Sequence, residues 1–216
     1  MQAAALLVVG VLALPGVYNT ELVAPIDVFD HVRFHSKPNP GMQVVVIGPT
    51  REPVRAFERL TLTPEYGLDD APKLDVLVIP SAEGNMDRDL KDEDLLAKVR
   101  KRVEEASLVL TLCDGAFLLA ATGALNGRSA TTFPADRDAF ERIFPKVRLR
   151  RDASWVRDGK FVTSVGGVES FHAALAIAER LYGEKVASGV ARGIVLDWKS
   201  ERERVRGITV LAPEKR

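Results

Sequence analysis

Val109-Leu110-Thr111-Leu112-Cys113-Asp114-Gly115-Ala116-Phe117-Leu118-Leu119-Ala120 passes from a strand into a helix across a turn of small and polar residues. Residues 108–112 form a short apolar run, as a strand buried on both faces requires. The turn at Cys113 then opens an apolar helix. That is the layout of a nucleophile elbow, which lifts a reactive side chain off the end of a strand. Gly115 allows turn and helix to approach closely. A cysteine at a helix N-terminus meets the positive end of the dipole, which favours the thiolate. The next backbone N–H, on Asp114, points where an oxyanion would form. The bland alternative is a structural thiol, since free cysteine packs as a small hydrophobe.

The same grammar extends along the chain. Val8–Leu14, Gln43–Ile47, Asp75–Ile79, Leu108–Leu112 and Phe161–Ser164 read as strands. Thr20–Phe34, Asp92–Ala106, Ala116–Leu125, Ala135–Phe144, Ser170–Tyr182 and Lys185–Trp198 read as helices. Strands alternating with helices predict an α/β fold, a mostly parallel sheet covered on both faces. Thr20 is the expected N-cap of the first helix, with Glu21 in its first turn. Pro25 removes the hydrogen bond to the Glu21 carbonyl, which predicts an irregular first turn. Gly183 is a helix stop. Asp158-Gly159 predicts a hairpin between Ala153–Arg157 and Lys160–Ser164. Residues 1–198 form one predicted domain, and 199–216 a charged C-terminal tail.

Composition narrows the function. The 216 residues carry 30 basic and 30 acidic side chains, with 46% hydrophobic and 28% charged. That balance suits a soluble globule and argues against nucleic acid as the main partner. In Asp92–Ala106 the basic residues Lys98, Arg100, Lys101 and Arg102 read as a solvated face beside Glu104 and Glu105. Cys113 is the single cysteine, so neither an intrachain disulfide nor a Cys-rich metal site is available. Met1 to Pro15 lacks the positive start of a secretory signal and is too short to span a bilayer, so it reads as a buried first strand. A cytoplasmic protein with no membrane partner is expected. There is no G-x-x-x-x-G-K-[ST] and no well-placed G-x-G-x-x-G.

In open α/β sheets, sites form beyond the carboxyl ends of the strands. Four loops leave such ends: Pro15–Glu21, Pro80–Asn85, Cys113–Ala116 and Val165–Phe171. Glu21 is the carboxylate expected to face Cys113. His31 and His35, spaced i, i+4 near Asp27 and Asp30, invite a zinc reading, but the H-E-x-x-H glutamate is missing and no metal is expected.

Three stretches together resemble the ThiJ/PfpI superfamily, the class I glutamine-amidotransferase-like group that includes the parkinsonism-linked deglycase, PfpI-type peptidases and isonitrile hydratases. Glu21-Leu22-Val23-Ala24-Pro25-Ile26-Asp27-Val28 resembles its E-x-x-x-P-x-D-V helix. Leu112 through Ala120 resembles its cysteine elbow, with Asn126-Gly127-Arg128-Ser129-Ala130-Thr131-Thr132 the loop that follows. Asp158-Gly159, Val165-Gly166-Gly167-Val168-Glu169-Ser170-Phe171 and Ala174–Glu179 resemble its C-terminal hairpin and helix.

The resemblance implies a flavodoxin-like α/β/α sandwich and a homodimer. It also implies a Cys113–Glu21 dyad acting on a small-molecule electrophile of the reactive carbonyl or isonitrile class, without a cofactor. The N–H groups of Asp114 and Ala82 would form the oxyanion hole. The alternative is a ligand-binding, redox-sensing or stress-protective module without efficient turnover. Two departures argue against a simple Cys–His hydrolase. The histidine that many members carry after the Thr-Thr pair is here Phe133, and the Pro-Gly-Gly loop is here Pro80-Ser81-Ala82. His172, beside the Gly166-Gly167 loop, is a possible auxiliary, against the alternative of a helix-face histidine.

Overall fold

A computed structural model of the protein describes residues 6–199 and 207–210. Eight strands form the main sheet: β1 (Leu7–Leu12), β2 (Met42–Gly48), β3 (Tyr66–Gly67), β4 (Val76–Ile79), β5 (Leu108–Leu112), β6 (Trp155–Asp158), β7 (Phe161–Ser164) and β8 (Gly207–Val210). Their spatial order is β8-β6-β7-β5-β4-β1-β2-β3. Every pairing is parallel except that of β6 with β7. β4 and β5 are buried along their whole length, which is why they read as unbroken apolar runs with no alternation.

The helices are α1 (Asn19–His35), α2 (Glu93–Glu105), α3 (Gly115–Ala121), α4 (Arg137–Ile143), α5 (Glu169–Tyr182) and α6 (Glu184–Gly193). α1, α5 and α6 pack together as one layer, and α2 packs with α3 in the other. The result is the expected α/β/α sandwich. No helix among the described residues is long and apolar enough to cross a membrane.

Most predicted elements stand, with informative exceptions. α1 begins at Asn19, with Tyr18 and not Thr20 at the N-cap position; the Tyr18 side chain makes no capping bond, and the Asn19 N–H donates to Glu58 Oε2 at 2.9 Å. The helix runs unbroken through Pro25, so the expected irregular first turn is absent. Pro25 costs α1 the bond to the Glu21 carbonyl, and packing against α5 and α6 holds the helix across that gap. The last helix stops at Gly193, short of the expected Trp198. α2 does not present all its basic residues to water. Arg102 is buried, with Nε donating to the Leu68 carbonyl at 2.7 Å, and Arg100 Nε reaches the Thr122 carbonyl at 3.1 Å.

The expected hairpin is present, with Gly159 at φ +66° in its turn. Its outer strand would leave a sheet edge unpaired. β8 covers that edge, pairing in parallel from Trp155 opposite Gly207 to Asp158 opposite Val210. Part of the expected 199–216 tail is therefore sheet. Residues 200–206 and 211–216, which carry most of the tail's charges, lie outside the described residues, as do residues 1–5.

Candidate active site

All four predicted loops meet at the carboxyl end of β5. Cys113 adopts φ +52°, a left-handed conformation that costs a residue with a Cβ about 1–2 kcal/mol. Its neighbours hold it there. The Cys113 N–H donates to the Ser164 carbonyl at 3.0 Å, extending the pairing of β5 with β7. Its carbonyl accepts from the Ala116 N–H at 3.3 Å and from the Thr132 hydroxyl at 3.0 Å. A Cβ at Gly115 would collide with the Ile79 carbonyl oxygen, so only glycine lets α3 start this close to β4. The strained, overdetermined turn is the expected elbow.

Glu21 is 6% exposed, one turn into α1. The Ser81 N–H donates to Oε2 at 3.0 Å, and the Gly167 N–H donates to Oε1 at 3.2 Å. The Cys113 thiol lies close enough to the carboxyl to favour its ionised form. Burial raises its pKa, and the N–H bonds oppose that shift without cancelling it. Gly166, at φ +83°, fills the remaining gap. A Cβ there would overlap that of Cys113 and lie 2.6 Å from Glu21 Oε1.

The thiol contradicts the expectation of an acidic cysteine. Burial pushes the Cys113 pKa far up, and the negative charges of Glu21 and Asp114 push the same way. α3 has only seven residues, so its dipole is too weak to reverse a desolvated sulfur flanked by carboxylates. The Asp114 N–H and the nearby Ser81 hydroxyl favour the thiolate, but they are the smaller effect.

The oxyanion expectation also needs correcting. The Asp114 N–H faces the sulfur. The Ala82 N–H instead donates to Asn85 Oδ1 at 2.8 Å, and Asn85 Nδ2 is anchored on Asp89 Oδ2 at 3.0 Å. Ala82 therefore has no free donor in this arrangement. The N–H that faces the site from this loop is that of Ser81, and Glu21 takes it.

His172 Nδ1 lies 3.0 Å from Glu169 Oε2 on its own helix, and its Nε2 is buried without a hydrogen-bond partner among the described residues. His31 is held by the Asp27 side chain and carbonyl, while the His35 ring packs against the spot where Gly189 lacks a side chain. Phe133, at the expected histidine position, is 42% exposed.

The DJ-1/PfpI family model matches residues 8–180. The chain belongs to this family. An isonitrile hydratase of Pseudomonas putida is 31% identical over 182 residues, covering 83% of this chain and 74% of that one. The Parkinson disease protein 7 homolog of Danio rerio is 29% identical over 186 residues, 84% of this chain and 93% of that one. The crystal structure of a ThiJ/PfpI family protein from Pseudomonas syringae superposes with a TM-score of 0.79 at 23% identity, over 92% of this chain and 78% of the other.

Within this DJ-1/PfpI site, the Asp114 side chain is the group that sequence reasoning passed over for the sake of its N–H. Its Oδ2 lies 3.7 Å from Cys113 Sγ, and its Oδ1 3.2 Å from Thr132 Oγ1. Burial first, and Asp136 second, raise its pKa to about 7. The available signal was adjacency: a side chain next to the elbow cysteine cannot be far from it.

Proposed function

We propose that this DJ-1/PfpI protein is a cysteine-dependent enzyme acting on a small, uncharged electrophile of the reactive carbonyl or isonitrile class. The observation that carries this reading is the Cys113–Glu21 pair: a strained elbow thiol against a carboxyl whose two oxygens are each fixed by a backbone N–H. Cys113 is the nucleophile, Glu21 shares a proton with it, and the Asp114 N–H meets developing negative charge.

With a 1,2-dicarbonyl substrate, Sγ bonds to the terminal carbonyl carbon and the π pair moves to oxygen, which receives the relayed thiol proton. The hydrogen on that carbon then shifts to the neighbouring carbonyl carbon, leaving a 2-hydroxy thioester that water hydrolyses to a 2-hydroxy acid and the free thiol. With an isonitrile, Sγ adds to the terminal carbon, which receives the proton. Water then replaces the sulfur to release a formamide and restore the thiol. Neither route needs a cofactor. The homodimer implied by the resemblance is part of the same reading, and light scattering in solution checks it.

The test is turnover of a 1,2-dicarbonyl and of an aryl isonitrile by the wild type, Cys113→Ser and Glu21→Gln, with mass spectrometry of Cys113 in parallel. The reading expects turnover that vanishes in Cys113→Ser and drops sharply in Glu21→Gln. A thiol that accumulates stable sulfinate under peroxide and turns over neither substrate would support the redox-sensing alternative.

A further inference from the structure

A Cys–Glu dyad alone leaves one task unassigned. The sulfur is buried and reluctant to ionise, so its proton must go somewhere as it attacks. Glu21 is poorly placed to pass that proton out of the site. It is almost wholly buried, and each of its oxygens already accepts a backbone N–H. The histidine position holds Phe133, and the hydrogen bonds of His172 stop at Glu169.

The geometry points to Asp114 as the acid–base residue of the site: its carboxylate takes the proton from Cys113 Sγ during attack and returns it to the substrate atom. This rests on the function proposed above and names a second side chain for it. The 3.7 Å from Oδ2 to Sγ is contact distance for a thiol donor. Thr132 Oγ1, 3.2 Å from Oδ1, turns the carboxyl, and the same hydroxyl ties down the Cys113 carbonyl. Asp114 is only half-buried, so unlike Glu21 it can exchange protons with water.

A second observation supports this division of labour. The Ser81 hydroxyl is wholly buried and has no hydrogen-bond partner among the described residues, yet it lies close enough to Cys113 to favour its thiolate. A hydroxyl held beside the sulfur can donate a hydrogen bond to the negative charge that appears when the proton leaves. The groups facing Asp114 are Cys113, Glu21 from α1, Tyr18 from the turn before α1, Thr132, and Asp136 from the turn before α4. No cation is among them, consistent with a carboxyl poised near neutrality, where a general base works best.

The step balances. The S–H bond breaks as the S–C bond forms, and the proton moves to Asp114 Oδ2. It then moves from Oδ2 to the oxygen or carbon that has gained the electron pair. Nothing is oxidised or reduced.

The test is the rate of Cys113 alkylation by iodoacetamide, an uncharged probe, between about pH 5.5 and 9.5, measured beside turnover. The wild type should show a limb with its midpoint at about 7. In Asp114→Asn that limb should disappear, leaving a rate that climbs with pH without a plateau and is at least about tenfold lower near neutrality. A mere like charge beside the sulfur predicts the reverse, because its removal lowers the thiol pKa and speeds alkylation. An Asp114→Asn rate equal to or above wild type near neutrality overturns the proposal.

If that variant does not fold, Thr132→Val decides. Losing the hydroxyl disfavours the carboxylate, so the limb should move up by about half a pH unit; a fixed limb overturns the proposal. An Asp114-dependent limb without turnover of either substrate would leave the acid–base role standing and defeat only the substrate assignment.

Discussion

Two carboxyls meet the Cys113 sulfur in surroundings that differ in kind. Glu21 comes from a helix sixty residues before Ser81, and backbone N–H groups from two different loops close on its oxygens. Asp114 sits on the elbow itself, with one hydroxyl, two nearby acids and partial access to water. The Glu21 region is built to fix a group in place. The Asp114 region leaves a group able to gain and lose a proton near neutral pH. The same functional group thus becomes an anchor or a base according to what surrounds it.

The sharpest way to break the comparison is Glu21→Leu. It orphans the Ser81 and Gly167 N–H groups in a buried site, so stability should fall by about 2–4 kcal/mol in denaturant unfolding. Turnover should fall to the Cys113→Ser background. A stability change within about 0.5 kcal/mol would mean the two N–H groups find other acceptors and Glu21 anchors nothing.

Asp114→Asn should act in the opposite direction on stability. The folded-state pKa of Asp114 is raised from 3.8 to about 7, so between those values the folded protein holds a proton that the unfolded chain releases. Its favourable contribution is present at low pH and fades as pH rises through that window. The variant lacks this loss and should gain about 1–2 kcal/mol over wild type on going from acid to mildly alkaline solution, a figure discounted for partial exposure. Parallel urea curves for the two proteins at every pH would place the titration elsewhere.

Phe133→His restores an imidazole at the histidine position. If Asp114 already handles the proton, turnover should change by less than about threefold. A gain of about tenfold or more would show that the base was missing and that Asp114 does not supply it. The smallest effect belongs to His172→Ala, expected within about twofold because its ring bonds Glu169 and not the thiol. A loss of about a hundredfold with the fold intact would reassign the base to His172.

These differences also mark what could be read from sequence. The elbow was legible because all its causes are local: an apolar strand, Cys113, Gly115 and an apolar helix are consecutive. The four loops were legible because parallel strands put all their carboxyl ends along one edge of the sheet. The state of the thiol was not, because desolvation comes from groups far apart in the chain; Glu21 is ninety-two positions away. Asp114 is oriented by Thr132, eighteen positions on, and pushed up by Asp136. β8 escaped notice because its four residues gain meaning only from the edge that the hairpin leaves open. The capture of the Ala82 N–H is different. Asn85 is three residues away, and the turn chemistry of asparagine could have announced it.

Gly166 has a consequence for how such a site changes over generations. It carries no charge and no donor side chain, yet it is the spacer that lets sulfur and carboxyl meet. Any side chain at this position would wedge the pair apart while leaving every ionisable group in place. Drift here cannot be gradual, since the first carbon added is already the whole obstruction. A lineage that lost catalysis by this route would keep its cysteine, its glutamate and its fold, and would pass for an enzyme in every comparison that counts only reactive residues.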